Sequence, residues 1–288
     1  MNKRSSKINA WFKTAAGKIS IGLFIASILL ILIGIILSLL EGRSTPYSVA
    51  ISLVFGIATN IASIIVTVTF VQSQFDRQDE IKEKNEETKK LKRFNRVLGS
   101  YLHEYSIYYY CVTVPIERRE NGNYNIINTN FEFKDMKDLH NHTMYVRDGF
   151  HKSSVELFFE IENQVILYIK RMIEEIDFKY YPDILRILCC FIDSAIQANI
   201  RNAILFNQKQ VGTDNNGNYS NLKDTIHEWI KEDDKYNWVN TVNGQKSSNV
   251  MGAYVELYNL LKVEGNLVNQ YKDLVSKVLR DSMDGVTR

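Results

Sequence analysis

The densest set of residues able to do chemistry is Asp138, His140, His142, Asp148 and His151. A His-x-His pair holds a metal only from a strand or loop, with a third ligand supplied from elsewhere, and His151 is the candidate for that place. The alternative is histidines on a loop surface or at a helix cap. Five tyrosines, Tyr101, Tyr105, Tyr108, Tyr109 and Tyr110, crowd a second short stretch. Tyr101, Tyr105 and Tyr108 could stack a nucleobase. The competing reading is a half-buried core whose hydroxyls reach water. Glu117-Arg-Arg-Glu120 and Lys170-Arg171 are short basic spots, usually solvated, with nucleotide phosphate or partner acids as the alternative contact. No phosphate-cradling glycine loop, Cys-pair zinc motif or serine elbow occurs. The expectation is a protein that is not an enzyme, with no cofactor and no metal.

Composition narrows the classes further. The 288 residues carry a formal charge of +2, so no global basic field points to nucleic acid. Cys111, Cys189 and Cys190 are few and two are adjacent; they read as buried, reduced thiols of a cytosolic domain.

The elements that must position these groups begin with two apolar runs. Ile19 to Leu40 is free of charge for about 22 positions, enough for a helix to cross hydrocarbon. Tyr47 to Gln72 is equally long and uncharged, and only Glu41-Gly-Arg-Ser-Thr-Pro46 separates them. A helix apolar on every side must be buried on every side, so residues 19–72 read as a two-helix transmembrane hairpin in a lipid bilayer. A cleaved signal peptide fits poorly, because the apolar core is long and a second run follows. Lys and Arg crowd residues 1–18 and the segment after Gln72, which places both termini in the cytoplasm of a bacterial inner membrane. Trp11 and Phe12 stand where an interfacial anchor would lie.

The second run carries a stripe of small and polar residues: Ser52, Gly56, Thr59, Asn60, Ser63 and Thr67. Such residues let helices approach closely and bond across the contact. One reading is packing of the two spans or of neighbouring protomers; the other is a stripe facing a polar lumen in a homo-oligomer. Ile61 and Ile65 read as lipid-facing. Residues 73–110 read as a helical stalk, roughly 40–50 Å of it uninterrupted by Gly or Pro. Ile81, Thr88, Leu91, Leu98, Leu102 and Tyr105 form an imperfect heptad seam, with Lys84 and Asn95 at core places. That seam suits packing on the chain's own domain or loose self-association rather than a stand-alone coiled coil.

Residues 111–288 read as a mostly α-helical cytosolic domain. Val112–Ile116 and Tyr124–Ile127 suggest a small β-hairpin or irregular flap, and Phe131-Glu-Phe133 a short strand. Four helices follow. The first, 154–177, has a capping box of Ser153 and Glu156. The second, 182–207, starts at Pro182 and has a wide apolar surface running from Ile184 through Ile196 to Ile204, with Asp193 and Arg201 as a candidate buried pair. A third covers 221–236, after an exposed loop containing Asn215-Asn-Gly217. The last runs from about 250 to 281, with Val250, Tyr254, Leu257, Leu261, Val268, Tyr271, Val275 and Val278 on one face and a bend at Gly265.

The layout of Ile19 to Gln72 followed by a cytosolic sensor resembles the two-transmembrane effectors of bacterial anti-phage systems, such as those paired with cyclic-nucleotide synthases or retrons. The resemblance is one of layout, without a family motif, so it carries over no functional residue. It implies a membrane-permeabilising effector, silent until its cytosolic part receives a sensor protein, a nucleotide signal or a retron complex. A membrane-anchored scaffold or receptor subunit with passive spans is the competing expectation.

Overall fold

The computed structural model describes residues 15–39, 45–119, 124, 126–145, 151–197, 200–213, 219–232 and 249–284. It is mainly helical and divides into two compact units, Met1–Glu83 and Lys84–Arg288. The expected features of residues 1–14, including Trp11 and Phe12, lie outside the described residues, as do Asp148 and Asn215–Gly217.

In the first unit α1 is Ala15–Leu39, and α2, Thr45–Thr113, contributes its opening turns. Pro46 stands in the first turn of α2, where its missing N–H costs nothing. The two helices meet at small residues: Ser27 donates its hydroxyl to the Ala58 carbonyl at 3.2 Å, and both residues are buried. Val54, Ile61 and Ile65 are half-covered on the same face of α2, and Ala26 and Leu30 on that of α1. Ile61 and Ile65 therefore do not lie among the most open side chains. The fully exposed large ones include Leu53, Ile57, Ile64, Val66 and Phe70. Among the described residues, one helix contains a stretch long and apolar enough to cross a membrane, and it belongs to α2.

The second unit opens with the rest of α2. Leu91, Leu98, Leu102, Tyr105, Tyr109 and Val112 are buried, so the heptad seam packs into the unit's own core, while Ile81 stays exposed. Asn95, at a core place of that seam, accepts from the Tyr271 hydroxyl at 3.0 Å. Near residue 88 the helix is tied to the turn before Pro182. Glu87 accepts from the Tyr180 amide at 3.1 Å, and Thr88 shares a 2.6 Å hydrogen bond with the Tyr181 hydroxyl.

No strand forms at 112–116 or 124–127 among the described residues. Val112 and Thr113 instead complete α2, buried against the core, and Thr113 bonds back to the Tyr109 carbonyl at 2.9 Å. Pro115 ends the helix, because it disfavours helical geometry at the residue before it. A 3-10 turn at Ile116–Arg118 follows, and a second at Phe133–Asp138 replaces the strand expected at Phe131–Phe133. Glu132 and Asp135 cap that second turn reciprocally. The strands lie elsewhere, in two short antiparallel pairs: β1 His142–Tyr145 with β2 His151–Ser153, and β3 Val211–Thr213 with β4 Tyr219–Asn221.

Helix α3 is Ser154–Glu175, capped by the Ser153 hydroxyl, which accepts from the Glu156 amide at 3.3 Å. The helix expected over 182–207 is two helices, α4 Pro182–Gln197 and α5 Arg201–Lys209. Phase explains the break. At 3.6 residues per turn, Ile200 stands about 180° around from Phe191, so one straight helix cannot bury both. Breaking the helix resets the phase, and Ile184, Leu188, Phe191, Ile200 and Ile204 are all buried, whereas Ile196 is 57% exposed. Helix α6 is Leu222–Lys231, shorter than expected, and α7 is Asn249–Asp284. On α7 the residues Tyr254, Leu257, Leu261, Val268, Tyr271 and Val275 are buried, whereas Val250 and Val278 at the ends of the expected face are only half-buried. Gly265 is a point of close approach: a Cβ there would lie 2.8 Å from both the Tyr109 hydroxyl and the Thr129 methyl.

Candidate functional site: a buried carboxyl pair beside a cleft

Two acids occupy core places on amphipathic helices. Glu162 lies on the α3 stripe four residues after Phe158, and Glu264 lies on α7 between Leu261 and Val268. Their exposures are 2% and 0%. Isolated carboxylates are too costly to leave there, so each must be paired or protonated. The Arg201 guanidinium at the start of α5 pairs with Glu162 Oε2, and the Tyr105 hydroxyl of α2 donates to Glu264 Oε2 at 2.7 Å. The two carboxyls lie against each other, and Oε1 of each meets no other hydrogen-bond partner. Burial, then the neighbouring charge of Glu162, pushes Glu264 well above the ordinary carboxylate range. Burial also raises Glu162, but Arg201 opposes the rise. Two close acids beside one cation favour a single proton held by the pair, with Glu264 the more strongly raised of the two. Four helices, α2, α3, α5 and α7, thus converge on one polar knot.

The Glu162–Arg201 side of the knot opens to a cleft of ≈ 300 Å³. Its lining includes Asn163, Ile166 and Lys170 from α3, Ala195 and Ile196 from α4, and Asn202 from α5. Arg201 stacks over the Phe159 ring at 5.4 Å and keeps about a third of its side-chain surface open, at 35%. The pair expected between Asp193 and Arg201 does not form; Asp193 is exposed, one consequence of the break between α4 and α5.

The tyrosines flagged by their density are mostly core. Tyr105 is fully buried against Phe158, Tyr109 and Phe191, so it presents no face for stacking a base. Tyr108 is nearly buried, and Tyr101 packs on Tyr168 with ring centroids 5.5 Å apart. Tyr110 and Tyr124, edge to face at 5.2 Å, border a separate cleft of ≈ 250 Å³.

The histidines are not brought together as a set. His140 is buried with Nε2 2.8 Å from the Tyr254 hydroxyl, and burial pushes its pKa down to about 4. His142 and His151 face each other across the β1–β2 pair at 5.3 Å between rings, and both are exposed. Among the described residues no three His, Cys, Asp or Glu side chains are grouped to hold a metal. Arg119 of the first basic spot closes the end of α2, donating to the Val114 carbonyl at 3.0 Å and the Cys111 carbonyl at 2.6 Å. The cysteines are free but not all buried: Cys111 and Cys189 are half-buried and Cys190 is exposed.

In the first unit Ser52, Gly56, Asn60, Ser63 and Thr67 are all exposed. Gly56, Asn60, Ser63 and Thr67 each follow the α1-facing Val54, Ala58, Ile61 and Ile65 by two residues, a rotation of about 200°. The stripe therefore faces away from α1 and does not join the two helices. Thr59 and Thr67 satisfy their hydroxyls on the carbonyls of Phe55 and Ser63 within the helix. Asn60 makes no hydrogen bond among the described residues.

No protein-family model, curated protein or solved structure matches the chain.

Proposed function

We propose that the protein is a membrane effector. In this reading residues 19–72 span the bacterial inner membrane as a hairpin, with both termini cytoplasmic, and residues 84–288 receive a signal or partner. That event brings copies together through α2 and permeabilises the membrane, in the manner expected of an anti-phage defence. The observation carrying this reading is the stripe opposite α1. An unpaired amide in hydrocarbon is costly, and α1 is on the wrong side to satisfy Asn60. Another copy of the chain, or water in a lumen between copies, supplies the partner. A passive two-helix anchor has no use for that amide.

The test is potassium leakage from triggered cells expressing the chain at matched membrane levels. Asn60→Leu and Ser63→Leu should abolish leakage while the variants remain inserted, because an apolar lining dries a narrow path. Ile57→Ala and Ile64→Ala, on exposed apolar positions off the stripe, should leak as the wild type does. Leakage unchanged in both stripe variants, or absent from the wild type, would leave the anchored scaffold as the better account.

A further inference from the structure

The cleft beside Arg201 has the features of a ligand site rather than of a packing gap. Lys170 on α3 and Arg201 on α5 bring two cations to its lining against one carboxylate, Glu162, which Arg201 already neutralises. The first residues of α5, Arg201 and Asn202, border it, and no side chain caps that helix start. The helix start adds partial positive charge to that of the two side chains. The closing turn of α4 also borders the cleft and brings partial negative charge, but the full charge of Lys170 outweighs it. Ile166, Ile196 and Ile200 make the remaining walls apolar, and Ile196 is left open to solvent there.

We propose that this cleft binds a small soluble organic anion, with a phosphate or carboxylate head held by Lys170, Arg201 and the start of α5, and an apolar or aromatic body against the isoleucines. A cleft of ≈ 300 Å³ stands at the lower end of small-ligand sites, room for a head and about one ring. Two acyl chains of a phospholipid do not fit that space. The fork of Arg201 suits either head, since planar guanidinium matches carboxylate and phosphate alike. This inference rests on reading residues 84–288 as the signal-receiving part. It gives that part a route to α2: an anion drawing on Arg201 loosens its hold on Glu162, Glu162 shares a proton with Glu264, and Glu264 holds Tyr105 of α2.

The experiment uses the full chain in detergent micelles, with phenyl phosphate as the probe and benzyl alcohol as its uncharged counterpart. Phenyl phosphate should raise the melting temperature in a saturable manner, and benzyl alcohol should not. Lys170→Glu, at an exposed rim position, should weaken phenyl phosphate about tenfold, equivalent to ~1.4 kcal/mol. Ala195→Phe, which fills the cleft, should abolish the shift. Equal shifts in wild type and Lys170→Glu, or none in the wild type, would overturn the proposal even if Ala195→Phe failed to fold. The leakage test fails separately. Phenyl phosphate bound by a wild type that leaks nothing would keep the cleft and remove the pore, while stripe-dependent leakage without phenyl phosphate binding would do the reverse.

Discussion

Replacing Glu264 by glutamine tests the shared proton directly. The amide donates to Glu162 as the protonated acid does and accepts from Tyr105, so the fold is retained. What changes is the linkage to pH. Because Glu264 is held well above its ordinary value of 4.5, folding takes up a proton. Its stabilising contribution is complete below that ordinary value and is lost as pH rises toward the folded one. The slope is about −1.4 kcal/mol per pH unit for one proton. His140 acts in the opposite sense. Burial lowers it from 6.5 to about 4, so its contribution is present above 6.5 and is lost as pH falls toward 4. That lowering corresponds to about 3 kcal/mol. Where the two ranges overlap the slopes oppose each other, and above 6.5 the His140 slope ends. Glu264→Gln should remove the falling arm and expose the His140 slope below 6.5. Urea unfolding of the full chain in micelles, followed by tyrosine near-ultraviolet circular dichroism at stepped pH, reads both arms. Groups not coupled to Glu264 cancel in the difference, so parallel curves for the variant and wild type would refute a proton held by this pair.

Two further comparisons set buried positions against exposed ones. Gly265→Ala should lower stability by about 1–3 kcal/mol despite alanine's better helix propensity, because its Cβ would meet Tyr109 and Thr129 at 2.8 Å. Gly99→Ala, at an exposed helical site with nothing within 4 Å, should instead gain up to about 1 kcal/mol. Thermal melts compare the two, and equal effects would refute the close approach. His140→Ala should cost about 1–3 kcal/mol by removing its hydrogen bond to the buried Tyr254 hydroxyl and leaving a gap beside it. The exposed His142 and His151 should each tolerate alanine within about 0.5 kcal/mol, measured in the same melts.

The long helices were legible because their apolar residues recur at one period for many turns, as from Phe158 to Met172 and from Tyr254 to Val275. The break between α4 and α5 was not, since two stripes of opposite phase merge into one broad apolar surface when plotted on a single helix. Residues 112–133 misled for a related reason. Val112, Ile127 and Phe131 have strand-like character, but their burial comes from contacts with distant helices rather than from a neighbouring strand. The carboxyl pair left a signal that was passed over: an acid standing at a core place on each of two otherwise apolar faces. What no single helix discloses is that those two places meet. The clustered tyrosines and histidines drew attention by local density, and density along the chain proved a poor guide to convergence in space.

The bonds joining α2 to α7 span long stretches of chain, with Tyr105 and Glu264 159 residues apart and Asn95 and Tyr271 176 apart. Such contacts cannot form until both partners have left the ribosome, and long loops close slowly. At about 5–20 residues per second, the ribosome needs roughly 10–40 s to pass from Gln72 to the chain's final residue. During that interval Leu98, Leu102 and Tyr105 have no α7 to cover them. A nascent chain thus passes through a period of exposed hydrophobic surface. In the proposed effector, the translation speed of residues 73–284 sets the window for premature association.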